Sequence, residues 1–158
     1  MTELTTNLWF DHQAEEAATF YVSLFEDGRI TLIDHYGSAG PLPDGTVKTV
    51  SFELANHRLI ALNGGAGDTF NDAVSLMIRC GTQDEVDRLW ERLTADGGQA
   101  GPCGWLKDRF GLSWQIVPEL LFTLVHDDDE AKAQAVMAAM LRMGKIDSAA
   151  LQAAYDAS

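Results

Sequence analysis

The order strand, amphipathic helix, then three further strands occurs twice in this sequence, and that repetition most narrows the folds open to it. In the first pass Leu4 to Phe10 is an apolar, β-prone run, and Asp11 is placed to cap a helix. The inward stripe of that helix is Ala14, Ala17, Ala18, Tyr21, Leu24 and Phe25. Gly28 closes it, Arg29 to Tyr36 has the β-branched content of a strand, and Gly37 to Gly45, with Pro41, Pro43 and Asp44-Gly45, is a loop. Val47 to Leu54 alternates like a half-buried strand, Ala55 to His57 turns, and Arg58 to Asn63 forms the next strand. After Gly64 to Gly67 the order begins again with a strand over Ala73 to Cys80 and a helix whose Thr82 and Glu85 make a capping box. Its stripe is Val86, Leu89, Trp90 and Leu93, Asp96-Gly97-Gly98 ends it, and a short strand follows near Gln99 to Gly101. The halves are offset by roughly 69 residues and match in pattern, not in residue identity.

The second pass finishes in the stretch Gly101 to Pro118, GPCGWLKDRFGLSWQIVP, which reads as a hairpin. Cys103 to Lys107 and Leu112 to Val117 are its strands, and Asp108 to Gly111 is the turn, with Gly111 taking positive φ. Period two puts Ser113, Gln115 and Val117 on one face of the last strand and Trp114 and Ile116 on the other. Beyond Pro118 the composition shifts to Ala, Met and Leu. Glu119 to Val125 extends the strand or makes a short helix, and Ala133, Val136, Met137, Met140 and Leu141 form one apolar face of a further helix. A last helix covers Ser148 to Tyr155, and the tail is expected to be buried on its own domain or on a partner subunit.

The 158 residues are enough for one domain with its own core or two small, intimately packed modules. Eleven basic against 24 acidic residues leave a net charge of −13, which argues against a nucleic-acid or anionic-membrane partner. No apolar run approaches the ~18 residues of a membrane span, and the first residues carry no signal-peptide pattern, so a cytoplasmic protein is expected. The two cysteines, Cys80 and Cys103, read as reduced thiols.

The hairpin, the LWFD at Leu8 to Asp11 with AEEAATFYVSLF running to Phe25, the ALNGG at Ala61 to Gly65, and the tail's MLRMGKID together resemble one known family. It is the PhnB-like family of the vicinal-oxygen-chelate (glyoxalase, bleomycin-resistance, dihydroxybiphenyl dioxygenase) superfamily, whose members are often labelled 3-demethylubiquinone-9 3-methyltransferase-like. The resemblance implies an α+β fold of paired βαβββ modules whose curved mixed sheet encloses a cavity, here followed by C-terminal helices. It also implies a homodimer. The modules would be residues 1–65 and 72–118 within a domain of residues 1–126, with residues 127–158 as a helical extension. Transfer of a methyl group from S-adenosylmethionine normally comes with a Gly-rich strand-to-helix turn. Gly64 to Gly67 leads from one strand toward another and reads as a linker, so the methyltransferase label does not suit this chain.

Metal-dependent members of the superfamily place His, Glu or Gln ligands on the first and last strand of each module. Laid onto this chain, those positions hold Thr6, Ala61 or Asn63, Ser75 and Gln115, and only Gln115 is a ligand type. The histidines His12, His35, His57 and His126 show no metal-ligand spacing. No catalytic metal and no cofactor are therefore expected. Strand periodicity places Thr6, Asn63, Ser75, Cys103, Trp105, Lys107 and Gln115 on the cavity, joined by Leu8, Phe10, Met77 and Arg79. The competing assignment makes Trp105 and Cys103 core residues and has Gln115 bonded to Asn63 or Ser75. Cys103 as a nucleophile lacks a nearby histidine base. Three functions stay open: a small-molecule binding protein, an isomerase, lyase or oxygenase with a non-standard site, and an assembly module with a vestigial cavity. The first is preferred.

Overall fold

The structure, a computed structural model, describes residues 2–158. The chain divides into two compact units, one ending at Thr69 and the other running from Phe70 to Ser158. In the first, β1 (Thr6–Phe10) leads into α1 (Ala14–Val22), and β2 (Arg29–His35), β3 (Val47–Leu54) and β4 (His57–Asn63) follow. The sheet order is β1-β4-β3-β2, with β1 parallel to β4 and the other pairs antiparallel. Alternation decides which face is dry. Leu8 and Phe10, then Val50, Phe52 and Leu54, then Leu59 and Ala61 are all buried beneath α1. The alanines Ala14, Ala17 and Ala18 let the helix lie close to the sheet, and the Tyr21 ring sits 6.2 Å from that of Phe52.

Asp11 does not cap α1. Its carboxylate instead meets the neighbouring His12 ring at 3.1 Å, and the capping position is taken by Gln13, whose side chain makes no capping bond. The first helical N–H, that of Ala14, is donated to Asn63 Oδ1 at 2.8 Å, so β4 supplies what the loop does not.

The second unit begins with β5 (Leu76–Cys80), α2 (Gln83–Thr94), β6 (Gln99–Ala100), β7 (Trp105–Lys107) and β8 (Ser113–Pro118). Its order β5-β8-β7-β6 is the first order with each strand number advanced by four, and β5 is again parallel to β8. α2 opens with the expected capping box: Thr82 Oγ1 accepts from Glu85 N–H, and the Glu85 carboxylate accepts from Thr82 N–H. Val86, Leu89 and Leu93 are buried, as are Cys80, Leu106, Trp114 and Ile116 of the sheet, while Trp90 is half-buried. β5 starts three residues later than Ala73, because Asn71 Oδ1 accepts the Ala73 N–H in a turn that holds the preceding segment out of the sheet.

Buried Asp108 organises the β7–β8 turn. Its carboxylate accepts from the N–H groups of Phe110 and Leu112 and from Trp114 Nε1, at 2.8, 3.1 and 2.8 Å, while Gly111 takes φ 87°.

β8 runs directly into α3 (Glu119–Val125), followed by α4 (Glu130–Met140) and α5 (Ser148–Asp156). Val117, Leu121, Leu124, Val136, Ile146 and Leu151 form their shared core. The tail is tied to its own unit. Cys103 and Gly104 donate their N–H groups to the carbonyls of Met143 and Gly144, both at 2.8 Å, and Gln83 bonds Ile146 O and Ser148 N–H with its two amide atoms. Gly104 has φ 81°, and a Cβ there would lie 2.8 Å from Ile116 O and 2.9 Å from Ile146 Cδ1, so no larger residue fits the crossing. The expected inward face of α4 is rotated: Val136 and Ala139 are buried, whereas Met137 and Leu141 are exposed. Among the described residues no helix is long and apolar enough to cross a membrane.

Candidate functional site on the second sheet

One face of the second sheet is spent on α2, and the same alternation that buries Leu106, Trp114 and Ile116 turns their neighbours to the opposite face. Register then aligns three of these in a row, because Gln115 of β8 is flanked by Met77 of β5 and Trp105 of β7. Trp105 and Gln115 are half-buried, and Met77 is 48% exposed on a strand whose other side faces the core. Gln115 Nε2 donates to Ser75 Oγ at 2.8 Å, fixing the amide in the middle of the row.

A polar cluster borders the row. Lys107 pairs in register with Ser113 and Gln99. Asp72, in the segment entering β5, accepts the Ser113 hydroxyl at 2.7 Å and meets Lys107 Nζ at 3.2 Å. The Ser113 hydroxyl first, and Lys107 second, hold the Asp72 carboxyl below the usual aspartate range. Asp72, Gln99, Pro102, Trp105 and Lys107 line a groove of about 390 Å³. At the other end of the sheet Arg79 lies 3.9 Å over the Phe122 ring and 3.6 Å from Glu119 Oε1.

Of the residues expected from the sequence, the structure brings Ser75, Trp105, Lys107 and Gln115 together on this face. The Gln115–Ser75 bond is the buried-amide contact weighed above against a ligand role, and it coexists with the open row. Cys103 stands apart. It precedes β7 at φ 55° with its N–H given to Met143, and it does not line the groove. Thr6 and Asn63 fall on the helix-covered side of the first sheet, together with Leu8 and Phe10, which are core. Thr6 Oγ1 meets His57 Nε2 at 3.0 Å, and buried Asn63 has its amide committed to Ala14 N–H and Val47 O. Those assignments are off by one residue of alternation. In an all-apolar Leu8-Trp9-Phe10 run, period two has no polar residue to say which side is wet.

The open face of the first sheet instead carries Trp9, Ile60 and Leu62. Trp9 is seated on the glycine pair after β4: its Nε1 donates to Gly65 O at 2.9 Å, and a Cβ on Gly64 would fall 2.1 Å from Trp9 Cζ2. Glu53, also on this face, is committed to Arg29 and Arg58. Sequence reasoning missed Trp9 and Asp72. For Trp9 the signal was the Gly64-Gly65 pair, which reads as a linker but serves as the floor beneath an indole.

The positions equivalent to a superfamily metal site do not fit a divalent cation. Thr6, Asn63, Ser75 and Gln115 offer neutral hydroxyl and amide groups, and all four are already in the hydrogen bonds described. Among the described residues no three His, Cys, Asp or Glu side chains come together as a ligand group. Burial pushes the Cys80 thiol up to about 11, which removes it as a nucleophile near neutral pH.

A family model described as 3-demethylubiquinone-9 3-methyltransferase matches residues 2–117. Among solved structures, a PhnB protein from Bacillus cereus that carries the same methyltransferase description is 32% identical, covers 74% of this chain and 99% of its own, and superposes with a TM-score of 0.66. Protein PA1353 from Pseudomonas aeruginosa (18% identity, 75% and 98% coverage, TM-score 0.62) is similar in fold. So is FosX, a fosfomycin resistance protein from Listeria monocytogenes (13% identity, 75% and 93% coverage, TM-score 0.51). No protein of curated function matches the sequence. Two sheets of identical strand order, the hairpin pinned by Asp108 and a family match running from residue 2 to Val117 in β8 agree: the chain belongs to the PhnB-like, 3-demethylubiquinone-9 3-methyltransferase-like family of vicinal-oxygen-chelate proteins.

Proposed function

We propose that this protein binds a small organic molecule on the open face of its second sheet and does so without a resident catalytic metal. The observation that carries this is the cross-strand row of Met77, Gln115 and Trp105 beside a groove of about 390 Å³. A half-exposed indole and thioether offer a large apolar contact area, an amide between them gives direction, and the volume is within the range of small-molecule sites. Catalysis is the less supported reading. Asp72 is held ionised below its ordinary range and is a weak base at neutral pH, and the row itself contains no acid, base or nucleophile. Methyl transfer is disfavoured because neither strand-to-helix turn, Asp11 to Gln13 or Gly81 to Thr82, is a Gly-rich loop of the nucleotide-binding kind.

The family resemblance supports a homodimer, which light scattering on the purified chain would read directly. Two free thiols are in keeping with a cytoplasmic setting.

The binding test is a fragment library monitored by thermal shift, beside metal analysis of protein purified without chelator. Fragments that raise the melting temperature should lose about tenfold in affinity on Trp105→Ala, the loss of one stacked aromatic contact. Hits indifferent to Trp105→Ala, or one metal per chain that stabilises in proportion to its concentration, would overturn the proposal.

A further inference from the structure

Resting on that reading of the open face, we infer that the site selects neutral or cationic aromatic molecules and discriminates against anionic ones. The two cations that flank the row are already engaged. Lys107 Nζ lies 3.2 Å from the Asp72 carboxylate, and Arg79 is held by Glu119 at 3.6 Å and by the Phe122 ring at 3.9 Å. A ligand carboxylate or phosphonate that recruited Lys107 would sit beside Asp72 and meet as much negative charge as positive. The Ser113 hydroxyl keeps that carboxylate in place independently of Lys107, so the negative charge does not leave when the ligand arrives.

The remaining groups favour the opposite charge. The face of an indole attracts cations through its quadrupole, so Trp105 suits an ammonium or an electron-poor ring. Gln115 gives its Nε2 to Ser75, and its Oε1 remains as an acceptor suited to an N–H or O–H at a ligand's edge. Met77 adds a polarisable contact against an aromatic ring. The net charge of −13 works in the same direction at longer range, attracting cations and repelling anions on approach.

The experiment uses the full chain and three probes that share one ring: indole, tryptamine and indole-3-acetate. Binding is followed by calorimetry and by the NMR signal of the Trp105 indole N–H, identified by its loss in Trp105→Phe. Tryptamine should bind tightest, and indole-3-acetate at least about tenfold more weakly than tryptamine. Asp72→Asn, which leaves Lys107 without its counter-charge, should narrow that gap several-fold. Raised salt should narrow it in the unaltered chain as well. Equal binding of the three probes, a preference for the acetate, or a gap indifferent to both Asp72→Asn and salt would overturn the charge selection while leaving the ligand face standing. No response at Trp105 to any probe would overturn the ligand face and the selection together.

Discussion

The two units build one strand order by different means of closure. The first has long strands, of seven, eight and seven residues in β2, β3 and β4, and pins its helix from the sheet: Asn63 of β4 takes the first N–H of α1 and donates to Val47 O across the sheet, while its own carbonyl accepts the Tyr36 hydroxyl at 2.7 Å. In the second, β6 and β7 have only two and three residues, and the helix caps itself through Thr82 and Glu85. The buried polar anchor moves to the hairpin as Asp108, and the connection between α4 and α5 makes up for missing strand through the bonds from Cys103 and Gly104 to Met143 and Gly144. Shared periodicity is enough to give a common topology, while the place of one buried polar group decides which segment the topology depends on.

If the anchors are local to their units, removing each should loosen only its own. Asp108→Ala takes the carboxyl acceptor from three donors and should cost about 4 kcal/mol, since the three stranded donors stay buried. Asn63→Ala strands Ala14 N–H and Val47 O and should cost about 3 kcal/mol. Chemical denaturation gives the totals, and hydrogen exchange gives the location. Asp108→Ala should deprotect β7 and β8, and Asn63→Ala the start of α1 and β4. Exchange that spreads equally through both units from either substitution would show that the anchors act globally, and the contrast drawn here would fail.

The helix starts sharpen the same contrast on a smaller scale. Thr82→Ala removes a side-chain cap and should cost about 1 kcal/mol. Gln13→Ala, at a capping position whose side chain makes no capping bond, should stay within about 0.5 kcal/mol. Comparable costs at the two positions would mean that α1 is capped by its own loop after all and that Asn63 serves another purpose.

The topology was legible in the sequence because each element carried its own local signal. Alternation in Val47 to Leu54, the stripe of Val86, Leu89 and Leu93, and the Thr82–Glu85 capping box are all present in the structure as read. The candidate face we propose was legible only in the second half. Around Gln115 the alternation includes Ser113, Lys107 and Ser75, polar residues that label the open face, and four of the expected residues meet there. In β1 the two polar residues, Thr6 and Asn7, fall on opposite faces and label neither, so Thr6 was placed on the cavity with Leu8 and Phe10, and Asn63 with them, on what is the helix-covered side. The cap of α1 was illegible for a different reason. Its donor and acceptor lie 49 residues apart, and Asp11 is the residue that local rules would choose. The α4 face was legible at Val136 and Met140 but not at Met137 and Leu141, because a helix rich in alanine offers several weak stripes, and contact with Ile146 and Leu151 selects the one that buries Val136 with Ala139.

The smallest expected effect separates the units by acid. Three carboxyls of the second unit are held below their ordinary range: Asp72 by the Ser113 hydroxyl and then Lys107, Asp87 by Lys145 and then Gln83, and Asp127 by the Asp129 backbone N–H and then the Tyr155 hydroxyl. A folded-state value below the unfolded one means that the unfolded chain binds protons first as pH falls. The stabilisation is therefore complete above the unfolded aspartate value of about 3.9 and is lost as pH drops through the lower folded values. Asp72 is exposed and Asp87 and Asp127 are half-buried at the surface, where water screens them, so each contributes little alone. Their positions matter more than their size, since Asp87 joins α2 to Lys145 and Asp127 joins the start of α4 to α5. Hydrogen exchange compared at pH 5 and pH 3 should show α4 and α5 losing protection before the first sheet does. Asp87→Asn should advance that loss at pH 5 and flatten its further dependence on pH. A first sheet that loosens before the tail would place the acid-sensitive contacts in the first unit and reverse the assignment of the tail as the support for the short-stranded one.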